Sequence, residues 1–304
     1  MKYYSLNEYL IDTFGEKVYK ISLDGGMTCP NRDGKIDTRG CIFCSRGGSG
    51  EFSASRSHSI SEQISEAKER ISKKTSCKKF IAYFQPFTNT YAPVEYLEKI
   101  YTQAIEPDEI VALSVATRPD CLPDETVDLL SRLNKIKPVW VELGLQTIHK
   151  STADYIRRGY DLSVYDDAVN RLRKERINVI THIIIGLPGE TEEMMVQTAK
   201  YAGERSDGVK LQLLHILKHT DLCDEYLKGR VKTLTLEEYS DILCKCLRVI
   251  PKTTVIHRLT GDGDKKLLVA PMWSADKKRV LNTINKAIAE AEDWQPVGCT
   301  YPNG

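Results

Sequence analysis

The residues best equipped for chemistry lie in one glycine-rich stretch, Gly25-Gly26-Met27-Thr28-Cys29-Pro30 followed by Gly40-Cys41-Ile42-Phe43-Cys44. Eleven residues separate Cys29 from Cys41, and two separate Cys41 from Cys44. A two-residue gap lets two thiolates reach one centre, and glycine relieves the backbone crowding that such wrapping creates. Three soft ligands read two ways. A site left open on one side binds something reactive, whereas a fourth ligand such as His58 would close a structural zinc site. The other six cysteines, Cys77, Cys121, Cys223, Cys244, Cys246 and Cys299, form no comparable array. Cys244 and Cys246 are two apart on a predicted helix and point to different sides, so core or surface thiols are expected.

The elements that must position this loop follow from the hydrophobic pattern. Short apolar, β-branched runs alternate with helical ones, which predicts an α/β fold of βα repeats around a parallel sheet. Strands are expected over 18–23, 80–84, 110–115, 139–143, 179–185 and 208–215. Helices are expected over 61–73, 94–103, 124–133, 164–174 and 191–203. The cysteine loop follows the first strand directly, at the carboxyl end where barrel folds gather their active-site groups. Six such units fit a partial (β/α)6 TIM-like barrel better than a closed eight-stranded one. Past residue 225 the pattern changes to a helix over 235–249, a short strand over 253–257 and a Lys-rich helix over 276–291. The expected division is a core domain over 1–225 and a small α-rich extension over 226–304 that packs onto the barrel.

Composition narrows the class. With 304 residues, 41% of them hydrophobic, the chain is neither a disulfide-stapled miniprotein nor a disordered polymer. No run of about 20 apolar residues could span a bilayer, and the amino terminus has no basic segment leading into an apolar one, so a soluble, cytoplasmic protein is expected. In that compartment cysteines are read as thiols or metal ligands. The 43 Lys and Arg against 42 Asp and Glu argue against a non-specific nucleic-acid coat. Two local basic runs remain, residues 65–80 with six Lys/Arg and two Glu, and residues 252–286 with eight Lys/Arg and three Asp.

A first strand running into a loop with three cysteines, the last preceded by an aromatic residue, resembles the radical S-adenosylmethionine (radical SAM) superfamily. The resemblance implies that Cys29, Cys41 and Cys44 hold a [4Fe-4S] cluster whose remaining iron chelates S-adenosylmethionine. One electron then cleaves the sulfonium to methionine and a 5′-deoxyadenosyl radical. The long spacing between Cys29 and Cys41 is similar to that of enzymes related to the catalytic subunit of elongator. So are Thr117-Arg118-Pro119-Asp120, Val141-Glu142-Leu143-Gly144-Leu145-Gln146, Arg157-Arg158-Gly159 and Thr181-His182. Asp24-Gly25-Gly26, Phe84-Gln85-Pro86 with Asn89-Thr90-Tyr91, and Val269-Ala270-Pro271-Met272-Trp273 resemble the bacterial YhcC/YtqA (MnmL-like) family over nearly the full length.

Carried over residue by residue, the resemblance implies S-adenosylmethionine contacts from Gln146, Arg158 and His182, with the Arg as a fork on the methionine carboxylate. Many relatives end the second strand in Gly-Gly-Glu; here Gln85 stands in that region, and either its side-chain carbonyl or the backbone would take over that contact. Elongator-type enzymes carry Glu where this chain has Ala116, so the ribose contact must come from elsewhere. Asn89, Tyr91, Arg118, Glu142, His215 and Lys218 are candidates for facing the substrate by strand-end position. Gly186-Leu187-Pro188-Gly189-Glu190-Thr191 reads as a strand-to-helix turn.

The resemblance implies an enzyme that modifies tRNA at the 5-substituent of a wobble uridine, in one version remodelling carboxymethylaminomethyl to aminomethyl. The stretch after residue 225 is too short for elongator's acetyltransferase domain, which favours a different use of the radical. The basic runs would contact phosphates, and a flavodoxin or ferredoxin-type donor would supply the electron. Two other functions fit the sequence: the same radical chemistry on a small molecule or tetrapyrrole, and a zinc-stabilised, non-enzymatic binding module.

Overall fold

The computed structural model describes residues 3–48, 50, 53–73, 75–261 and 263–291. Its first half runs α1 (Leu6–Phe14), β1 (Val18–Leu23), α2 (Ile60–Ser72), β2 (Lys79–Phe84), α3 (Val94–Ile105), β3 (Ile110–Thr117), α4 (Asp124–Asn134) and β4 (Val139–Gln146). Next come α5 (Lys150–Tyr155), α6 (Leu162–Lys174), β5 (Asn178–Ile185), α7 (Glu192–Arg205) and β6 (Gly208–Leu213). The chain continues through β7 (Ile216–Leu217), α8 (Asp221–Leu227), α9 (Leu236–Val249), β8 (Val255–Arg258), β9 (Leu268–Ala270) and α10 (Lys277–Glu290). Seven strands form one sheet in the order β1-β2-β3-β4-β5-β6-β8, and β7 pairs with β9 in a separate antiparallel ribbon.

The chain divides into two compact units, Asn7–Gly144 with Gly159–Ile180, and Met1–Leu6 with Leu145–Arg158 and Thr181–Gly304. In the first, β1, β2, β3 and β4 pair parallel in sequence order, as βα repeats require. Strand residues such as Ile21, Ile81, Leu113 and Val141 are buried, because a parallel sheet needs cover on both faces. The amphipathic α3 presents Leu97, Ile100 and Tyr101, and the Tyr101 ring meets Phe84 edge-on at 5.0 Å. Helix α2 opens on a capping box in which Ser59 and Glu62 satisfy each other's backbone N–H groups.

In the second unit α7 packs against α9, and α9 opens on a second capping box, Thr235 with Glu238. Its buried face of Leu236, Tyr239, Leu243 and Leu247 makes it a crossover helix, and it delivers β8 parallel to β6. The expectation of six strands therefore falls one short. Residues after 225 supply a strand of the main sheet as well as helices, and that strand, only four residues long, has too little alternation to announce its place. Among the described residues no helix is long and apolar enough to cross a membrane.

Candidate active site

In the first unit the cysteine loop leaves β1 at Leu23 and folds back on itself through local hydrogen bonds. The N–H groups of Arg32 and Asp33 donate to the Cys29 carbonyl, and that of Cys44 donates to the Cys41 carbonyl. The Arg32 guanidinium ties the far end down, donating to the carbonyls of Cys44 at 2.9 Å and Ser45 at 2.5 Å. Cys29, Cys41 and Cys44 are half-buried thiols that form no disulfide. Asn31, almost fully buried, donates its amide to Cys41 Sγ at 3.5 Å. Burial, then the neighbouring Cys44, push the Cys41 thiol up to about 12. At neutral pH it is protonated until a bound metal displaces the proton.

Gly159 adopts φ +82°, and a Cβ there would lie 2.9 Å from Asn31 Oδ1 and 3.3 Å from Arg118 Nη2. Glycine is required because this backbone presses on the residue that holds Cys41. His58 is not a fourth ligand in this structure: its Nδ1 lies 2.7 Å from Glu66 on α2. No three His, Cys, Asp or Glu side chains among the described residues converge on a single metal ion. A cubane asks for one thiolate at each of three corners, a wider spread than one ion needs. Of the other cysteines, Cys121, Cys223, Cys244 and Cys246 are buried thiols and Cys77 donates to the Lys17 carbonyl, while Cys299 lies outside the described residues.

The strand-end candidates of this unit separate into different roles. Gln85 accepts from the Ser22 hydroxyl at 2.8 Å. Asn89 is fully buried, and its amide donates to the carbonyls of Phe84 at 3.1 Å and Ala116 at 2.8 Å, bracketing the ends of β2 and β3, while its Oδ1 has no partner among the described residues. Arg118 makes a two-pronged ion pair with Asp120 and lies over the Tyr160 ring. Glu142 is no mouth residue. Strand β4 runs on to Gln146, not 143, which leaves Glu142 mid-strand and buried, paired with Lys20 at 2.6 Å and Ser114 at 2.7 Å. Tyr91 is half-buried, and burial followed by a hydrogen bond to Asp33 holds its phenol above the usual range.

In the second unit Gln146 takes φ +65°, uncommon for a residue with a side chain, and its buried Oε1 has no hydrogen-bond partner among the described residues. Arg158 is buried, and its Nη1 donates to the carbonyls of Leu145 at 3.2 Å and Thr147 at 2.6 Å, on either side of Gln146. The expected carboxylate fork thus also braces the turn that aims Gln146. Arg157 instead pairs with Asp221 at 2.6 Å. His182 lies in mid-β5, and its Nδ1 accepts from Gln212 at 3.4 Å. His215 Nε2 meets Ser274 Oγ at 3.1 Å, and Ser274 donates its own proton to the Pro271 carbonyl at 2.8 Å. Lys218 is exposed.

Glu190, in the turn after β5, was not legible as a site residue. Its Oε1 accepts from Thr147, its buried Oε2 has no well-aligned partner among the described residues, and burial holds its carboxyl above the ordinary 4.5 against the opposing pull of Thr147, His149 and Thr152. A raised acid favours folding while neutral; that stability is present below the ordinary value and is lost as pH rises through the folded one. Glu190→Gln keeps a neutral acceptor for Thr147. Thermal melts are expected to match the parent near about pH 4 and to lie above it near about pH 7.

These residues fit an iron–sulfur cofactor and its co-substrate. One loop carries three reduced thiols with an amide donor on Cys41, and in the other unit a turn carries a buried amide oxygen without a partner among the described residues. Residues 38–202 match the Radical SAM superfamily and residues 206–290 the Radical_SAM C-terminal domain. The chain is 45% identical over 295 residues to YtqA of Bacillus subtilis (strain 168), covering 97% of this chain and 92% of that one. It is 27% identical over 163 residues to the tRNA uridine(34) acetyltransferase of Methanocaldococcus jannaschii, covering 52% of this chain and 30% of that one. Among solved structures, the archaeal Methanocaldococcus infernus Elp3 superposes with a TM-score of 0.63 at 18% identity, covering 86% of this chain and 63% of that one.

Fold and site define a radical SAM enzyme, α/β in class with the partial TIM-like barrel topology of that superfamily, which works with a [4Fe-4S] cluster and S-adenosylmethionine. Such an enzyme needs a reductant, and a zinc-stabilised binding module is set aside. Within the superfamily the chain belongs to the YhcC/YtqA family, related to elongator.

Proposed function

We infer that the protein is a cytoplasmic tRNA-modifying enzyme that remodels the 5-substituent of a wobble uridine, converting carboxymethylaminomethyl to aminomethyl. The observation that carries this reading is the kinship with the tRNA uridine(34) acetyltransferase, whose name places its chemistry on the same nucleoside. Cys29, Cys41 and Cys44 hold the cluster, and residues 1–225 carry the radical chemistry. When bound, the cluster supplies the electron that cleaves S-adenosylmethionine to a hydrogen-abstracting radical. Gln146 offers its amide oxygen to the co-substrate, and Arg158 and Glu190 keep the turn around Gln146 in place. Gln85 and His182 are the further polar contacts, and Tyr91, Arg118, His215 and Lys218 the groups that read the substrate.

A tRNA also needs phosphate contacts. The run over 65–80 is a weak candidate, since Lys68, Lys73 and Lys79 are paired with Glu109, Glu69 and Glu16. The run at the start of α10 is a second candidate. Lys277, Lys278 and Arg279 are exposed and sit at the positive end of a helix dipole, which disfavours cations. An anionic partner such as a phosphate backbone would offset that cost. Reversing all three charges is expected to lower the slope of log affinity against log salt for tRNA by about 2 to 3. An unchanged slope takes this patch out of the interface.

The reaction itself is tested by mass spectrometry of tRNA nucleosides. A deletion strain should accumulate the carboxymethylaminomethyl nucleoside and lose the aminomethyl one. An unchanged nucleoside profile would reject the tRNA reading in favour of a small-molecule or tetrapyrrole substrate.

A further inference from the structure

Asn31 lies two residues past Cys29 on the cysteine loop and is 1% exposed, although an amide buried so fully is costly to place. Two contacts fasten it to the residues around Cys41. Its backbone carbonyl accepts from the N–H of Gly40 at 2.7 Å, and its side-chain amide donates to Cys41 Sγ at 3.5 Å. Gly159 forms the other wall. A Cβ there would stand 2.9 Å from Asn31 Oδ1, so the bare glycine backbone leaves room for the oxygen end of the amide while the nitrogen end meets the sulfur. Turned over, the amide would set oxygen lone pairs against a sulfur that becomes negative when it binds iron, which makes nitrogen the atom that faces Cys41.

The surroundings give this contact its strength. Burial is the first cause that pushes the Cys41 thiol up to about 12, so little solvent reaches that sulfur, and a fixed N–H counts for more there than in water. Arg118 also acts on Cys41, but its guanidinium is committed to Asp120 through two bonds. An apolar side chain of the same size would fill the space of Asn31 without desolvating an amide. Packing alone therefore does not account for asparagine at this position.

We propose that Asn31 sets the reduction potential of the cluster, its amide N–H stabilising the negative charge that reduction adds at Cys41 Sγ. The proposal rests on the reading that Cys41 is a cluster ligand. The balance is one electron, lost by the reductant and gained by the iron–sulfur centre, with no proton or atom transferred. The reduced centre is the more negative of the two, so a donor to its sulfur binds it more strongly and raises the potential. Asn31 acts through Cys41 and is a positioning residue for the centre that accepts the electron.

Asn31→Leu keeps the side-chain size and removes the donor, whereas Gly159→Ala keeps the donor and crowds the amide from behind. Both variants and their combination are reconstituted anaerobically, and the midpoint potential is read by a dithionite titration followed by electron paramagnetic resonance. Asn31→Leu is expected to lower the ratio of reduced to oxidised cluster at a fixed potential about tenfold, which for one electron is a shift of about 59 mV. Gly159→Ala should shift the midpoint the same way by less. Added to Asn31→Leu it should change nothing further, because the donor is already gone, whereas general damage to the loop would make the two shifts add. Asparagine labelled with heavy nitrogen gives a second readout, a nitrogen coupling to the reduced cluster that is present in the parent and absent from Asn31→Leu. An Asn31→Leu midpoint equal to the parent's, shifts that add, or a coupling that survives Asn31→Leu would overturn the proposal. If Asn31→Leu takes up no cluster, the Gly159→Ala midpoint and the coupling in the parent still decide. A cluster retained by Cys41→Ser would instead reject the ligand reading, and the proposal with it.

Discussion

Cys41→Ser should leave a folded protein that takes up no stable iron–sulfur cluster and releases no 5′-deoxyadenosine, whereas Cys121→Ser should retain both. The pair is informative because the two thiols share an environment. Each is pushed up to about 12, with burial the first cause. Neither is ionised at neutral pH, so acidity cannot tell a ligand from a bystander. What separates them is position. Cys41 stands on the loop with Cys29 and Cys44 and receives the Asn31 amide, while Cys121 sits in the turn after β3 against Asp120. Serine is nearly isosteric, so the cluster-free stability of either variant should change by about 1 kcal/mol. Iron and sulfide per chain after anaerobic reconstitution, the visible absorption band and 5′-deoxyadenosine release are the readouts. A Cys41→Ser protein that keeps its cluster, or a Cys121→Ser protein that loses it, would move the ligand assignment elsewhere.

That site was legible because its signal is local. Three cysteines on one glycine-bearing loop can be found by type and spacing, and the strands of the βα repeats by their β-branched runs. Features that depend on where a strand stops, or on partners far along the chain, could not be read the same way. Ending the fourth strand at 143 makes Glu142 a rim residue; its three further residues turn the same carboxylate into part of the interior. Asn31 and Glu190 are ordinary polar residues until folding sets them against Cys41 and Thr147. Elements of two to seven residues, such as β7, α5 and α8, are too short to show a period and went unseen. Strand β8 is a sharper case, since its role comes from α9 as a crossover and not from its own four residues.

Glu142→Ala is expected to destabilise the protein by about 3 to 5 kcal/mol, enough to lower the melting temperature by roughly 10 °C. Glu142 has a fully buried side chain, and its Oε1 accepts from Lys20 on β1 and Ser114 on β3. The Lys20 ammonium, 16% exposed, also stands 4.9 Å from the centre of the Tyr83 ring and 5.0 Å from that of Trp140. All four strands β1 to β4 therefore contribute to one buried polar cluster. Removing the carboxylate leaves an ammonium in low dielectric with hydroxyl and ring partners but without this counter-charge, and aromatic faces recover only about 0.5 to 2 kcal/mol of that cost. Coupling is the decisive measurement. Lys20→Met with Glu142→Gln removes both charges while keeping shape and an acceptor for Ser114, and should restore most of the loss, because the penalty belongs to the unpaired charge and not to the missing pair. A Glu142→Ala protein within about 1 kcal/mol of the parent, or a double variant no better than the single one, would show that the cluster is not held by charge pairing. Restored stability with normal 5′-deoxyadenosine release would mark the cluster as a brace across the strands that carry the site, with Glu142 an interior group of β4.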